Sequence, residues 1–145
     1  MSDLPVLQPC DRIEITTLMD NIFWPADENP ALMQNWWPPS EPLLASHGLS
    51  LLVEAFRGDE MSTVLLDVAQ PAHAVLHNWR VLGFVPDQVD ALVLSHGHGD
   101  HTNALEAFLK ARHGRIPVVI HPFAFEDRMK RARRRDGKLV LYRQP

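Results

Sequence analysis

The stretch Ser95-His96-Gly97-His98-Gly99-Asp100-His101 follows directly on the apolar run Ala91-Leu92-Val93-Leu94, and no other part of the chain restricts the fold as tightly. A short apolar run bounded by turn residues reads as a buried strand, and this one delivers three histidines and an aspartate from its carboxyl end. Imidazole nitrogen and carboxylate oxygen are ligands that suit zinc, iron or manganese. His96 and His98, two apart in an extended loop, can turn toward one ion. Asp100 and His101, after a glycine that lets the chain bend, can turn toward a second ion beside it. A tag-like run would be a homopolymer at a terminus, whereas this one sits mid-chain between a strand pattern and a helix pattern.

The surrounding pattern is that of an α/β chain. Residues 12–19 are β-branched and partly alternating, which predicts a strand ending at Asp20-Asn21. The Pro-rich stretch 22–48 carries three of the four tryptophans and has no period, so it reads as a long loop. Trp36 and Trp37 in it are either a lid over an aromatic substrate or plugs at the domain's edge. Residues 49–56 and 63–68 look like two strands joined through Arg57-Gly58-Asp59-Glu60. Pro71 opens a predicted helix to about Leu82, with Val75, Leu76, Trp79 and Leu82 on one stripe and Gly83 as its stop. After the strand 89–94 and the histidine loop, Asn103 can cap a second helix with Glu106 in a capping box. Leu105, Phe108 and Leu109 form that helix's predicted inner face, and Gly114 its end. Residues 116–120 read as another buried strand. Antiparallel strands followed by helix–strand–helix–strand predict a mixed sheet with helices packed on one face.

Composition limits the partners. The 145 residues suit one domain, and 46% are hydrophobic, enough for a core. A net charge of −4 argues against nucleic acid or a membrane surface as the default partner. The basic run Arg131–Arg135 reads as a solvated helix face or tail, with phosphate or RNA contact as the sharper alternative. Cys10 is the single cysteine, which excludes an intramolecular disulfide and fits a reducing compartment. With no leader pattern and no apolar run of membrane-spanning length, the expectation is a soluble cytoplasmic protein.

His96-x-His98-x-Asp100-His101 behind an apolar strand resembles the metal-binding signature of the metallo-β-lactamase-fold hydrolases. The likeness spans roughly residues 12–128. His47-Gly48-Leu49-Ser50-Leu51-Leu52-Val53-Glu54, Val64-Leu65-Leu66-Asp67, Leu76-His77-Asn78 and Leu94 to Thr102 occur in the order of one branch. That branch contains the dihydropterin ribofuranosylaminobenzene phosphate synthase-like proteins, and residues 17–21 and 120–125 are similar to it too. The resemblance implies half of an αββα sandwich, with His96 and His98 on a first metal and Asp100 and His101 on a second. Two ions, most readily zinc, with iron or manganese as alternatives, would flank a water or hydroxide nucleophile that attacks an ester, lactone or phosphoester. Asp100 would orient that water or take its proton. Asp67 resembles the family's buried aspartate, able to fix the tautomer of a ligand imidazole. A complete domain of this kind is two α/β halves face to face, and the second half adds two histidines and a bridging aspartate. The resemblance therefore implies that residues 1–145 are the N-terminal half and that the missing half is a partner; the face left uncovered would favour a homo-oligomer.

Other candidates are weaker. Asn21, His47 and His77 match branch positions and could line a pocket for a small-molecule substrate, and His121 could contact substrate or a ligand. His73 and His77 stand four apart, a spacing that also suits a metal on a helix. Two rivals to the hydrolase reading stay open: a ribonuclease-like phosphodiesterase, and a catalytically silent metal-binding or interaction fragment.

Overall fold

The computed structural model describes residues 8–21, 41–126 and 128–144; Trp36 and Trp37 lie outside them. Strand β1 (Arg12–Met19) pairs antiparallel with β2 (Ser50–Arg57), and β2 pairs antiparallel with β3 (Glu60–Leu66). The β2–β3 connection is a two-residue turn at Gly58-Asp59, tighter than the predicted one, because Glu60 to Ser62 already join the ladder. β4 (Ala91–Leu94) runs parallel to β3, and β5 (Val118–Ile120) parallel to β4, giving one five-stranded mixed sheet in sequence order.

Helix α1 (Ala72–Leu82) ends as its sequence demands, with Gly83 at a φ of 71° donating its N–H back to the last turn. The single turn α2 (Gly99–Thr102) and helix α3 (Leu105–Ala111) follow β4. Pleat alternation then decides the core. Leu52, Leu65, Leu92 and Leu94 face one way and are buried in one cluster with Val75 and Trp79 of α1 and Phe108 of α3. Trp79 meets Phe108 edge-on at 5.9 Å, so the two helices close over the same face of the sheet.

Among the described residues, no helix covers the opposite face. Register places Val53, Val64 and Ala91 in one row and Leu51, Leu66, Val93 and Val119 in the next, none of them fully buried. Ile13 and Ile15 extend this apolar surface at the β1 edge.

Several expectations are corrected. Leu76 is exposed, and Ala74 and Asn78 take its place on the inner face of α1. Leu109 of α3 is exposed as well. Asn103 does not cap α3; its amide donates to Gln70 Oε1, and Glu106 pairs with Lys110 one turn on. Residues 99–102 form their own helical turn, which takes Asn103 away from the capping position. β5 is not buried: it is an edge strand of three residues with Val118 and Val119 both exposed. The Arg131–Arg135 run is neither helix nor tail. It belongs to a separate two-stranded ribbon, β6 (Arg128–Arg133) and β7 (Leu139–Gln144), joined through residues 134–138.

Candidate metal centre

The histidine loop leaves the carboxyl end of β4, and Asp67 stands just beyond the end of the neighbouring parallel strand β3. Adjacent parallel strands bring their carboxyl ends together, which is where open α/β sheets place ligands. Asp67 is buried, and its φ of 57° puts it in the left-handed region that aspartate tolerates better than most residues. Its N–H is held by Val93 O at 2.9 Å, fixing it against β4.

From that position the Asp67 carboxylate organises the loop. Oδ1 accepts the Ser95 N–H at 2.8 Å, and Oδ2 accepts both Ser95 Oγ and His101 Nδ1 at 2.7 Å. A carboxylate only accepts, so Ser95 spends its hydroxyl proton on Asp67 and His101 carries hydrogen on Nδ1. Ser95 Oγ, 2.9 Å from His96 Nδ1, must then accept from it. His96 Nε2 is left as a bare lone pair, and it receives the Nδ1–H of His98 at 3.0 Å. One buried carboxylate thus sets all three imidazoles as Nδ1–H tautomers, each presenting Nε2 as its electron-pair donor. Burial first, then the nearby His101 and His98, hold the His96 pKa below its ordinary value and keep the ring in its lone-pair form.

Asp100 closes the cluster from the other side. Its Oδ2 lies 3.1 Å from His47 Nε2 and 3.7 Å from His101 Nε2. His47 is aimed by Asn21, whose Oδ1 faces His47 Nδ1 at 3.2 Å and accepts the Gly48 N–H at 2.8 Å. Gly48 has a φ of 135°, and a Cβ there would sit 2.1 Å from the Asp100 carbonyl oxygen, so this approach is open to glycine alone. Gly97 is pressed against the turn Pro122–Phe125 in the same way, 2.5 Å from Ala124 O for an added Cβ.

Seven sequence candidates, Asn21, His47, Asp67, His96, His98, Asp100 and His101, are therefore gathered in one hydrogen-bonded and ion-paired cluster. Two others stand apart. His77 on α1 binds Pro42 O at 2.9 Å, and His121 caps the Pro122–Phe125 turn by accepting the Phe123 N–H. Ser95 and Asn78 carry more than their sequence positions suggested. Asn78, buried, donates to Leu18 O and Leu44 O and accepts the Leu44 N–H, tying β1 and α1 to the segment that leads to His47. Its signal was a polar residue on an otherwise apolar stripe.

The donors suit a borderline divalent ion by chemistry: three imidazole Nε2 atoms of fixed tautomer and one carboxylate. Among the described residues, no three histidine, cysteine or carboxylate groups are set to hold a single ion as they stand. The His96–His98 hydrogen bond occupies one of the lone pairs instead.

Residues 44–139 match the sequence model of the metallo-beta-lactamase superfamily. The chain is 34% identical over 87 residues to the 7,8-dihydropterin-6-methyl-4-(beta-D-ribofuranosyl)-aminobenzene-5'-phosphate synthase of Methanocaldococcus jannaschii, covering 60% of this chain and 30% of that protein. It is 36% identical over 67 residues to the anti-Pycsar protein Apyc1 of Saccharibacillus brassicae, covering 44% and 26%. The solved Rm3 metallo-beta-lactamase superposes with a TM-score of 0.43 at 26% identity, over 57% of this chain and 29% of that one. The chain thus spans under a third of the length of the curated relatives it matches.

Proposed function

Because the chain belongs to the metallo-beta-lactamase superfamily, we propose that it is the histidine-bearing part of a metal-dependent hydrolase acting on an ester, lactone or phosphoester. The observation that carries this reading is the Asp67 relay, which orders three histidines of one tautomer beside a carboxylate. Metal-binding imidazoles usually donate their other N–H to a carboxylate, and Asp67 stands in that relation to His101. The first relative is named as the synthase of a compound that joins a pterin to a ribose phosphate, which makes a pterin- or ribose-phosphate-containing molecule a ligand class to test at this site.

His96, His98, Asp100 and His101 would hold zinc, iron or manganese, which when bound would supply positive charge to polarise the scissile bond. Asp100 Oδ2 would accept the proton of the attacking water. His47, 3.1 Å away and aimed by Asn21, would hold that carboxylate in place and keep its charge from the bulk solvent. The open face of the sheet, lined by Leu51, Val53, Val64, Leu66 and Val93, would receive the remainder of a full-length domain. Further metal ligands would come from there, in keeping with the share of each relative that this chain covers.

Elemental analysis of protein purified without chelators tests the metal. Zinc, iron or manganese should be present, and the His96→Ala, His98→Ala double variant should lose most of it. Metal content unchanged by that variant overturns the assignment.

A further inference from the structure

The β6–β7 ribbon carries a marked surplus of positive charge. Residues 128–144 hold eight lysines and arginines against the single acid Asp136, a net +7, while the rest of the chain carries −11. The Asp136 carboxylate already accepts the Lys138 N–H. Among the described residues, none of the ribbon joins the buried core. Like charges crowded on one ribbon repel each other, and a surface of one sign attracts an anion of matching spacing.

Register shows what kind of anion. Met129 lies opposite Arg143, Arg131 opposite Leu141, and Arg133 opposite Leu139. All six share one face, which is therefore a checkerboard of guanidinium and alkyl groups. Met129, Leu139 and Leu141 are more than half exposed on it. The other face sets Lys130 opposite Tyr142, an exposed aromatic ring beside a cation. Alternate residues on a strand stand about 7 Å apart, so the charges recur over a length no single phosphate can span.

We propose that this ribbon is an arm that binds single-stranded nucleic acid, with guanidinium groups on phosphates and the alkyl surfaces and Tyr142 against bases. A single strand offers the same alternation of charge and flat apolar ring. A duplex hides its bases and would leave Met129, Leu139 and Leu141 facing phosphates. The arm springs from the Pro122–Phe125 turn that packs against Gly97, so a bound strand would start beside the histidine cluster. The proposal does not rest on the metal reading, since binding is measured without turnover.

The test is fluorescence anisotropy on the full 145-residue chain in EDTA, with a labelled single-stranded oligonucleotide, its duplex, and polyphosphate as competitor. Binding should weaken between about 50 and 200 mM salt, each phosphate contact adding about −0.7 to the log–log slope. Arg131→Glu with Arg133→Glu should flatten that slope by about 1.4 and weaken binding at least about tenfold. Tyr142→Ser should weaken the oligonucleotide about fivefold or more and leave polyphosphate unchanged. Circular dichroism melts unchanged in these variants would show that the fold is intact, as the ribbon's absence from the core predicts. Preference for the duplex, or equal loss of polyphosphate and oligonucleotide in Tyr142→Ser, overturns the arm. So does absence of oligonucleotide binding accompanied by self-association that the double glutamate variant abolishes, which would make the ribbon's partner the acidic surface of a second copy.

Discussion

A single buried carboxylate, Asp67, answers for the orientation of the whole histidine loop. Asp67→Asn keeps the size but offers His101 Nδ1 an amide in place of a pure acceptor, and the relay through Ser95 to His96 loses its direction. Zinc affinity should fall by about 10–100-fold, read by competition against a chromogenic chelator. Unchanged affinity would show that the imidazoles are aimed by something else. Gly48 is the second residue with no substitute. Gly48→Ala should lower stability by at least about 1–3 kcal/mol from backbone strain alone, and the collision with Asp100 O adds to it. A thermal melt checks this, and a wild-type melt for Gly48→Ala would mean the close approach is relaxed in solution.

Among the elements, the end of α3 is tied to the Pro86–Gln88 turn by an exposed pair, His113 Nδ1 at 2.8 Å from Asp87 Oδ2. The hydrogen bond raises the His113 pKa above 6.5 and lowers that of Asp87 below 3.8. The charged pair is the favoured state, so its contribution is complete from above the ordinary aspartate value to below the ordinary histidine value. It fades as pH rises through the raised value of folded His113, and at the acid end as pH falls through the lowered value of folded Asp87. An NMR titration of the His113 ring should show a raised midpoint that returns toward 6.5 in Asp87→Asn. A midpoint equal in both proteins would show that the bond is not made in solution. The elements also show how far the sequence could be read. Period and punctuation located β1 to β4 and α1, since Gly83 and the apolar alternation act locally. The exposure of β5 was hidden because an apolar run looks the same on an edge as in a sheet's centre. The ribbon was hidden because the arginines of β6 read as a solvated charge run, which left the short apolar run of β7 without a partner to pair with. The nearness of Asp67 to the loop was legible, both standing at the ends of apolar strands. The His47–Asp100 contact was not, since it depends on a backbone approach at Gly48 that no pattern announces.

For the molecule as a whole, the two faces of the sheet have different fates. One is closed by α1 and α3, and the other shows an apolar surface with Ile15 and Val119 both about 60% exposed. An exposed patch of this kind favours association. The isolated chain should bind hydrophobic dyes or dimerise in light scattering, and a sharply monomeric species with a cooperative melt would show that 145 residues close their own core. Catalysis follows the same division. If the proposed donors serve two ions with two each, hydrolysis of generic phosphodiesters and lactones should stay barely above background, since misplacing a reacting group by about 1 Å costs on the order of 100-fold. Robust turnover abolished by Asp100→Ala would refute this and mean that His121 or a second copy of the chain completes the site.

The order of the cluster's partners along the chain also bears on how it forms. Asp67 grips His101, His47 meets Asp100, and the Val68 N–H binds His101 O, and all three lie upstream of the loop. Domains are made and fold from the amino terminus during synthesis. On the ribosome, the cradle has therefore emerged before the last histidine leaves the exit tunnel, and the loop closes onto residues already waiting for it.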